Sequence, residues 1–415
     1  MKHKFSHFTC SLCGTEYGPD EVTYTCPKDG GNLDVILDYA EIKKQYTADK
    51  FMDLPEASLW RYRALLPVED PGGFGTPLHR AGWTPVYKPT RLAEKLGLKE
   101  LWVKDESPNP TASFKDRASA IVVARAIQIG AEVTVAASTG NAGAALAGMS
   151  AAAGTQAVIF APKTAPPAKI AQLIVFGANV LLVDGNYDQA FDLSIEATEA
   201  FGWYNRNTGF NPFTAEGKKT AGFEIWEQVI RSQPKNSKPL TVFVSVGDGN
   251  IISGIHKGFK DLYALGWMEQ MPRIIGVQSE GSAAIANTFA RGDEDIQPVQ
   301  ATTLADSISV DLPRDGVRAV RAARETGGMY LTVPDEMILS AIAELGQVGI
   351  FAEPAASTAY AGLVKAVDEG IVKPDDPVLV LSTGSGLKDV KAAMQAVSAA
   401  PVIEPTLDAV KKVFG

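Results

Sequence analysis

The chain has 415 residues, 46% of them hydrophobic, 21% charged and 8% aromatic, enough for a large core in two or more domains and unlike a disordered or fibrous chain. A net charge of -9 and a pI of about 5.2 exclude a nucleic-acid surface, which needs a basic face, but leave room for an anionic small substrate in one local cationic pocket. No stretch of about 18 apolar residues predicts a membrane span. The polar, basic segment 1–9 lacks the apolar core of a signal peptide, so the cytoplasm is the expected compartment.

Residues 1–37 read as a separate module that holds all three cysteines, so the main body is not a disulfide scaffold. Cys10-x-x-Cys13 and the later Cys26-Pro27-Lys28-Asp29-Gly30-Gly31 have the shape of a small zinc ribbon, two knuckles each offering two ligands to a tetrahedral metal. The second knuckle is incomplete, because Asp29 stands where a second cysteine would; His3 and His7 are candidate substitutes. Two readings stand: zinc on Cys10, Cys13 and Cys26, or a ribbon that has lost its metal and survives as a small β-module. Residues 38–70 predict a helical connector that includes Trp60-Arg61-Tyr62-Arg63, and a Gly/Pro-rich link over 71–77 follows.

Beyond the link, apolar runs alternate with amphipathic ones. Strands are predicted at 101–104, 133–137, 157–160, 180–183, 241–244, 274–277 and 377–381, with helices at 115–129, ended by Gly130, and 141–153, ended by Gly154. This alternation predicts an α/β fold with largely parallel sheets, whose ligands bind beyond the carboxyl ends of strands.

Three loops in such positions carry unusual chemistry. Ser138-Thr139-Gly140-Asn141 opens a helix, where free N–H groups suit a carboxylate. Ser245-Val246-Gly247-Asp248-Gly249-Asn250-Ile251 also precedes a helix; its glycines let the backbone approach a phosphate, and no Gly-Lys-Ser/Thr follows to make it a P-loop. Thr383-Gly384-Ser385-Gly386 offers hydroxyls that could meet a ring nitrogen. Each loop alone is equally an ordinary helix cap. Lys115 opens an apolar helix after the turn 108–114, and the helix dipole and nearby Arg117 are expected to favour its neutral, nucleophilic form.

Together with Asn109-Pro110-Thr111-Ala112-Ser113-Phe114-Lys115-Asp116-Arg117 and Glu216-Gly217-Lys218-Lys219-Thr220, these loops resemble the threonine synthase family, pyridoxal-phosphate enzymes of the tryptophan-synthase-β-like fold, fold type II. The resemblance implies that Lys115 carries pyridoxal phosphate as a Schiff base and shuttles protons. Phe114 would pack near the ring, Asn141 would bond its hydroxyl oxygen, and Thr383 would face its nitrogen. The amides of Gly247, Asp248, Gly249, Asn250 and Ile251 would cradle the cofactor phosphate. Ser138, Thr139, Gly140 and Asn141 would receive the substrate carboxylate. The implied reaction converts O-phospho-L-homoserine and water to L-threonine and phosphate, in a cytoplasmic homodimer of threonine biosynthesis.

Three positions depart from the family pattern: Ala142 replaces a threonine, Thr214 an arginine and Ser385 a histidine. The first two take donors from the substrate phosphate; Lys218, Lys219, Arg206 and Arg314 are candidates to replace them. A threonine or serine dehydratase, or a related β-replacement enzyme, is the alternative that needs no second phosphate site. The resemblance also implies a large domain of 71–115 and 216–395, a smaller mobile one of 116–215 and a C-terminal helix in 396–415. Glu353 is expected near the cleft in a structural role.

Overall fold

The structure, a computed structural model, describes residues 3–52, 54–234 and 237–414. Residues 1 and 2 of the N-terminal module, residue 53 of the connector and residue 415 of the C-terminal segment lie outside the described residues.

Two sheets organise the chain. In the six-stranded sheet the order is Met329–Val333, Arg273–Ser279, Thr241–Ser245, Val378–Ser382, Leu101–Asp105 and Val86–Tyr87, all parallel except the last pair. Its three central strands, Thr241–Ser245, Val378–Ser382 and Leu101–Asp105, are buried at every position, as a parallel sheet covered on both faces requires. The four-stranded sheet runs Asn179–Val183, Gln156–Pro162, Val133–Ala137 and Tyr204–Asn205, all parallel. Every strand predicted from an apolar run is present.

The helix Lys115–Ile129 joins the sheets. It is buried from Asp116 to Ala126, and Gly130 closes it in the left-handed conformation, φ 74°. It crosses the helix Phe213–Gln228 so closely that a Cβ on Gly217 would meet the Arg117 carbonyl oxygen at 2.1 Å. Four fully buried charges lock this crossing. Arg117 bonds Glu106 through Nε at 2.8 Å and Glu224 through Nη2 at 2.7 Å, while Lys104 Nζ lies 2.8 Å from Glu224. Two cations against two anions leave the cluster neutral, the condition for burying charge at all.

The N-terminal module is a three-stranded antiparallel sheet, Glu16–Tyr17, His7–Cys10 and Leu33–Ile36. The connector holds the short helices Tyr39–Gln45 and Ala48–Met52 and the tight turn Leu59–Leu65, pinned by Trp60 Nε1 donating to the Leu78 carbonyl at 3.0 Å. The last helix spans only Leu407–Phe414 and buries nothing, so the segment 396–415 is helical only near its end. Among the described residues no helix is long and apolar enough to cross a membrane.

Candidate active site

Lys115 is presented by a turn that leaves the carboxyl end of Leu101–Asp105. Asn109 Nδ2 donates to the Glu106 carbonyl and carboxylate at 2.9 and 2.7 Å, and the Thr111 N–H donates to Asp116 Oδ2 at 2.6 Å. Ala112 is left-handed, φ 63°, a conformation that costs a non-glycine residue roughly 1–2 kcal/mol. It is held there because its N–H donates to the Asn109 carbonyl at 2.7 Å and its own carbonyl accepts from Ser385 at 3.1 Å. The Phe114 N–H then donates to the Thr383 carbonyl at 2.9 Å, which joins the lysine turn to the last loop.

The expected cofactor residues line one cleft of about 530 Å³: Phe114, Lys115, Asn141, the run 247–251 and Thr383 all border it. Burial and then the Arg206 guanidinium lower the Lys115 amine to about 8, against the pull of Asp248 and Glu353. Arg117 does not contribute as expected. Its side chain points into the neutral quartet with Glu106 and Glu224, so its charge is cancelled before it reaches Lys115.

The loop 247–251 is shaped for close approach. A Cβ on Gly247 would meet Ile308 Cα at 2.7 Å; one on Gly249, φ 91°, would meet the Asp315 carbonyl oxygen at 2.6 Å. The helix Asn250–Ala264 starts here, with its first N–H groups lacking intrahelical acceptors. The Asp248 carboxylate accepts from the Arg314 N–H at 2.6 Å, and its carbonyl accepts from the Asp315 N–H at 3.0 Å.

Asn141 is the first residue of the helix Asn141–Ala153, and its Nδ2 donates to Glu353 Oε1 at 2.8 Å. Burial raises Glu353 to about 7. Thr139, Gly140 and Asn141 also line an adjoining cleft of about 640 Å³, together with Ser307, Lys169 and Lys388. Ser138 sits just before them, its N–H donating to the Phe160 carbonyl at 3.2 Å, and does not border either cleft.

The four candidate phosphate cations separate cleanly. Lys218, expected among the substrate-binding residues, instead lies behind the 247–251 loop, its Nζ 2.5 Å from Asn250 Oδ1. Lys219 is paired with Glu216 and Asp261 at 2.5 and 2.8 Å. Arg314 points outward, 3.8 Å from Asp188. Arg206 borders neither cleft itself, but it is bonded to Thr208, which does, and it keeps one buried donor without a partner. It is 1% exposed; Nε bonds Ser119 Oγ at 3.1 Å, Nη1 bonds Thr208 Oγ1 at 2.8 Å, and Nη2 has no partner. No carboxylate pairs with it among the described residues, and burial lowers it to about 10. Thr208 itself lines the cleft with Lys115. Thr208 and Ser307 carried no local sequence signal, each reaching the site from an element remote in the chain, while Glu353, expected near the cleft from the resemblance, borders both clefts.

The profile of the family "Pyridoxal-phosphate dependent enzyme" matches residues 78–384. The chain is 39% identical over 414 residues to threonine synthase of Methanosarcina acetivorans, covering 99% of both proteins. It is 38% identical over 408 residues to threonine synthase of Methanocaldococcus jannaschii, covering 98% of both. The chain belongs to the threonine synthase family of pyridoxal-phosphate-dependent enzymes. Solved structures agree on the fold: threonine deaminase isoform 2 from Solanum lycopersicum superposes with a TM-score of 0.66 at 21% identity, over 85% of this chain and 89% of that one. The family makes the chain a pyridoxal-phosphate-dependent lyase. Its own residues fit that cofactor: a lysine amine lowered to about 8, a glycine cradle that no side chain could share, and Phe114, Asn141 and Thr383 around one cleft.

Proposed function

We propose that this protein is a threonine synthase, converting O-phospho-L-homoserine and water to L-threonine and phosphate. The observation that carries this reading is near full-length identity of 38–39% to threonine synthases, extending through the module and connector as well as the catalytic region.

In this reading Lys115 would hold the cofactor covalently through its amine, the amides of 247–251 would hold its phosphate, and Asn141 and Thr383 would bond its ring. Pyridoxal phosphate, when bound, supplies the electron sink that stabilises charge at the substrate carbon. The chain's own residues do the rest. Lys115 Nζ, lowered to about 8, is neutral often enough near pH 7 to accept a proton from the substrate and return it. Thr139, Gly140 and Asn141, at the start of a helix, receive the substrate carboxylate on free N–H groups. Glu353 fixes the Asn141 amide through its 2.8 Å bond. Arg206 Nη2 and Thr208 supply the donors for the leaving phosphate that Ala142 and Thr214 do not, which supports phosphohomoserine over a hydroxy amino acid. The two sheets flank the cleft, so their approach would exclude water during proton transfer.

The same reading takes the enzyme as a cytoplasmic homodimer with zinc on Cys10, Cys13 and Cys26, remote from the reacting atoms. The activity is tested by supplying O-phospho-L-homoserine and measuring phosphate and threonine, which should appear in equal amounts. Keto acid from threonine or serine, with no phosphate released from phosphohomoserine, would instead make the enzyme a dehydratase. Light scattering on the eluted protein tests the dimer.

A further inference from the structure

The two cysteine knuckles share one backbone. In 10–14 the Gly14 N–H donates to the Cys10 carbonyl at 3.1 Å, and in 26–30 the Gly30 N–H donates to the Cys26 carbonyl at 2.8 Å. Both glycines are left-handed, φ 69° and 71°, so each turn reads Cys-x-x-X-Gly with X at the same place. X is Cys13 in the first knuckle and Asp29 in the second. The ligand atoms of Cys10, Cys13, Cys26 and Asp29 lie within 4.8 Å of one another. Two thiolates, each about 2.3 Å from one tetrahedral zinc, stand about 3.8 Å apart, and Cys13 Sγ and Cys26 Sγ are separated by 3.8 Å. Asp29 Oδ1 is 3.3 Å from Cys10 Sγ. Outer donors are in place too: the Leu12 N–H is 3.3 Å from Cys10 Sγ and the Tyr17 hydroxyl 3.1 Å from Cys26 Sγ. The histidines are elsewhere, His3 on Asp20 at 3.0 Å and His7 beside Ser6 at 3.0 Å.

The knuckles are also wired to the cofactor loop. Asp29 Oδ1 accepts from the Gly31 N–H at 2.8 Å, and the next residue, Asn32, donates through Nδ2 to the Arg314 carbonyl at 2.7 Å and to Asp315 Oδ1 at 3.4 Å. Arg318 adds a second strap, bonding Asp34 at 2.8 Å and Asp315 at 2.6 Å. On its other side the fully buried Asp315 accepts from Asn250 Nδ2 at 2.6 Å, and its N–H donates to the Asp248 carbonyl at 3.0 Å. Asp248 and Asn250 both belong to the loop 247–251.

We infer that Asp29 is the fourth ligand of a zinc ion held by Cys10, Cys13 and Cys26, and that this metal knuckle braces the cofactor-phosphate loop through Asn32 and Asp315. The inference rests on the proposed zinc and cofactor sites. Zinc would cross-link the knuckles at 13 and 29, fixing the Gly31–Asn32 backbone that reaches Arg314. Without metal, three sulfur ligands and a carboxylate crowded together would spread, and Asn32 would leave its acceptors.

The test uses the full chain, supplied with zinc during purification. Atomic emission gives zinc per chain, and absorbance titration of the cofactor-free protein gives the Kd for pyridoxal phosphate. The wild type should hold about one zinc per chain. Asp29→Ala should lose zinc and weaken pyridoxal phosphate about tenfold, as expected for losing the hydrogen-bond tie between Asn32 and the backbone that supports the loop. Asp29→Cys should keep both properties. Asn32→Ala should keep zinc yet weaken pyridoxal phosphate by the same about tenfold. If Asp29→Ala does not fold, the Asp29→Cys and Asn32→Ala variants decide. A wild type that takes up no zinc sinks the zinc site itself, and full zinc in Asp29→Ala removes Asp29 from the ligand set. Zinc loss in Asp29→Ala together with unchanged pyridoxal phosphate affinity there and in Asn32→Ala would overturn the brace while leaving the metal site standing. A wild type that binds zinc but no pyridoxal phosphate would sink the cofactor reading instead.

Discussion

Replacing Arg206 by Met should move activity and stability in opposite directions. The guanidinium is 1% exposed and unpaired, and burial holds it at about 10 where 12.5 is usual. Keeping that charge costs the ligand-free protein on the order of 3 kcal/mol. Met fills similar volume without the desolvation, but gives up the bonds to Ser119 and Thr208, worth about 1 kcal/mol each. The ligand-free variant should therefore unfold at or above the wild-type denaturant midpoint, by up to about 2 kcal/mol. Toward a phosphorylated substrate the balance reverses. One or two charge-assisted bonds, at roughly 1.5–3 kcal/mol each, amount to a loss in kcat/KM for phosphohomoserine of about 10-fold for one weak bond and about 10,000-fold for two strong ones. Phosphate release at low substrate reads this directly, and the Kd for pyridoxal phosphate should stay within about twofold. A kcat/KM within about threefold of wild type would refute the assignment. Loss of pyridoxal phosphate affinity would move Arg206 from the substrate phosphate to the cofactor phosphate.

Lys115 and Glu353 give stability opposite pH dependences in the cofactor-free protein. Lys115 sits at about 8 against its usual 10.5, so between these values the unfolded chain holds the extra proton and stability rises with pH, by about 3 kcal/mol. Urea midpoints of wild type and Lys115→Ala should converge on that account as pH increases, and parallel curves would contradict the buried amine. Glu353 sits at about 7 against 4.5, so the folded protein holds the extra proton and stability falls by about 3 kcal/mol from pH 4.5 to 7. Glu353→Gln should flatten that fall; an unchanged slope would place the titration elsewhere. Arg117→Met should destabilise by about 3–5 kcal/mol, because Glu106 and Glu224 would then share only Lys104, and a loss under about 1 kcal/mol in a denaturant melt would contradict the closed quartet.

How much of this was legible in the sequence follows from the range of each interaction. Helix 115–129 and helix 141–153 end where Gly130 and Gly154 stand, because a left-handed cap is a local property. The buried strands announce themselves by apolar runs, whereas Tyr204–Asn205 is a strand of two residues made by its neighbour Val133–Ala137, and no run marks it. The cofactor residues could be read because each lies on a loop with its own turn chemistry. Side-chain partners could not. Arg117 is next to Lys115 in sequence but faces Glu224, and Arg206, far from it in sequence, supplies the charge that Lys115 feels. Lys218 carries no local mark of its partner, Asn250 Oδ1, which reaches it from a different element. Asp29 read as a missing cysteine; only the repeated turn of 10–14 and 26–30 shows that its carboxylate stands in the cysteine's place.

The central claim, that Lys115 carries the cofactor, is tested most directly by one measurement. The protein with pyridoxal phosphate bound is reduced with borohydride, digested and sequenced by mass spectrometry. The account predicts a phosphopyridoxyl group on Lys115, in the peptide containing Ser113-Phe114-Lys115-Asp116-Arg117, and no label in Lys115→Ala. A label on Lys218 or another lysine, or none at all, would contradict it.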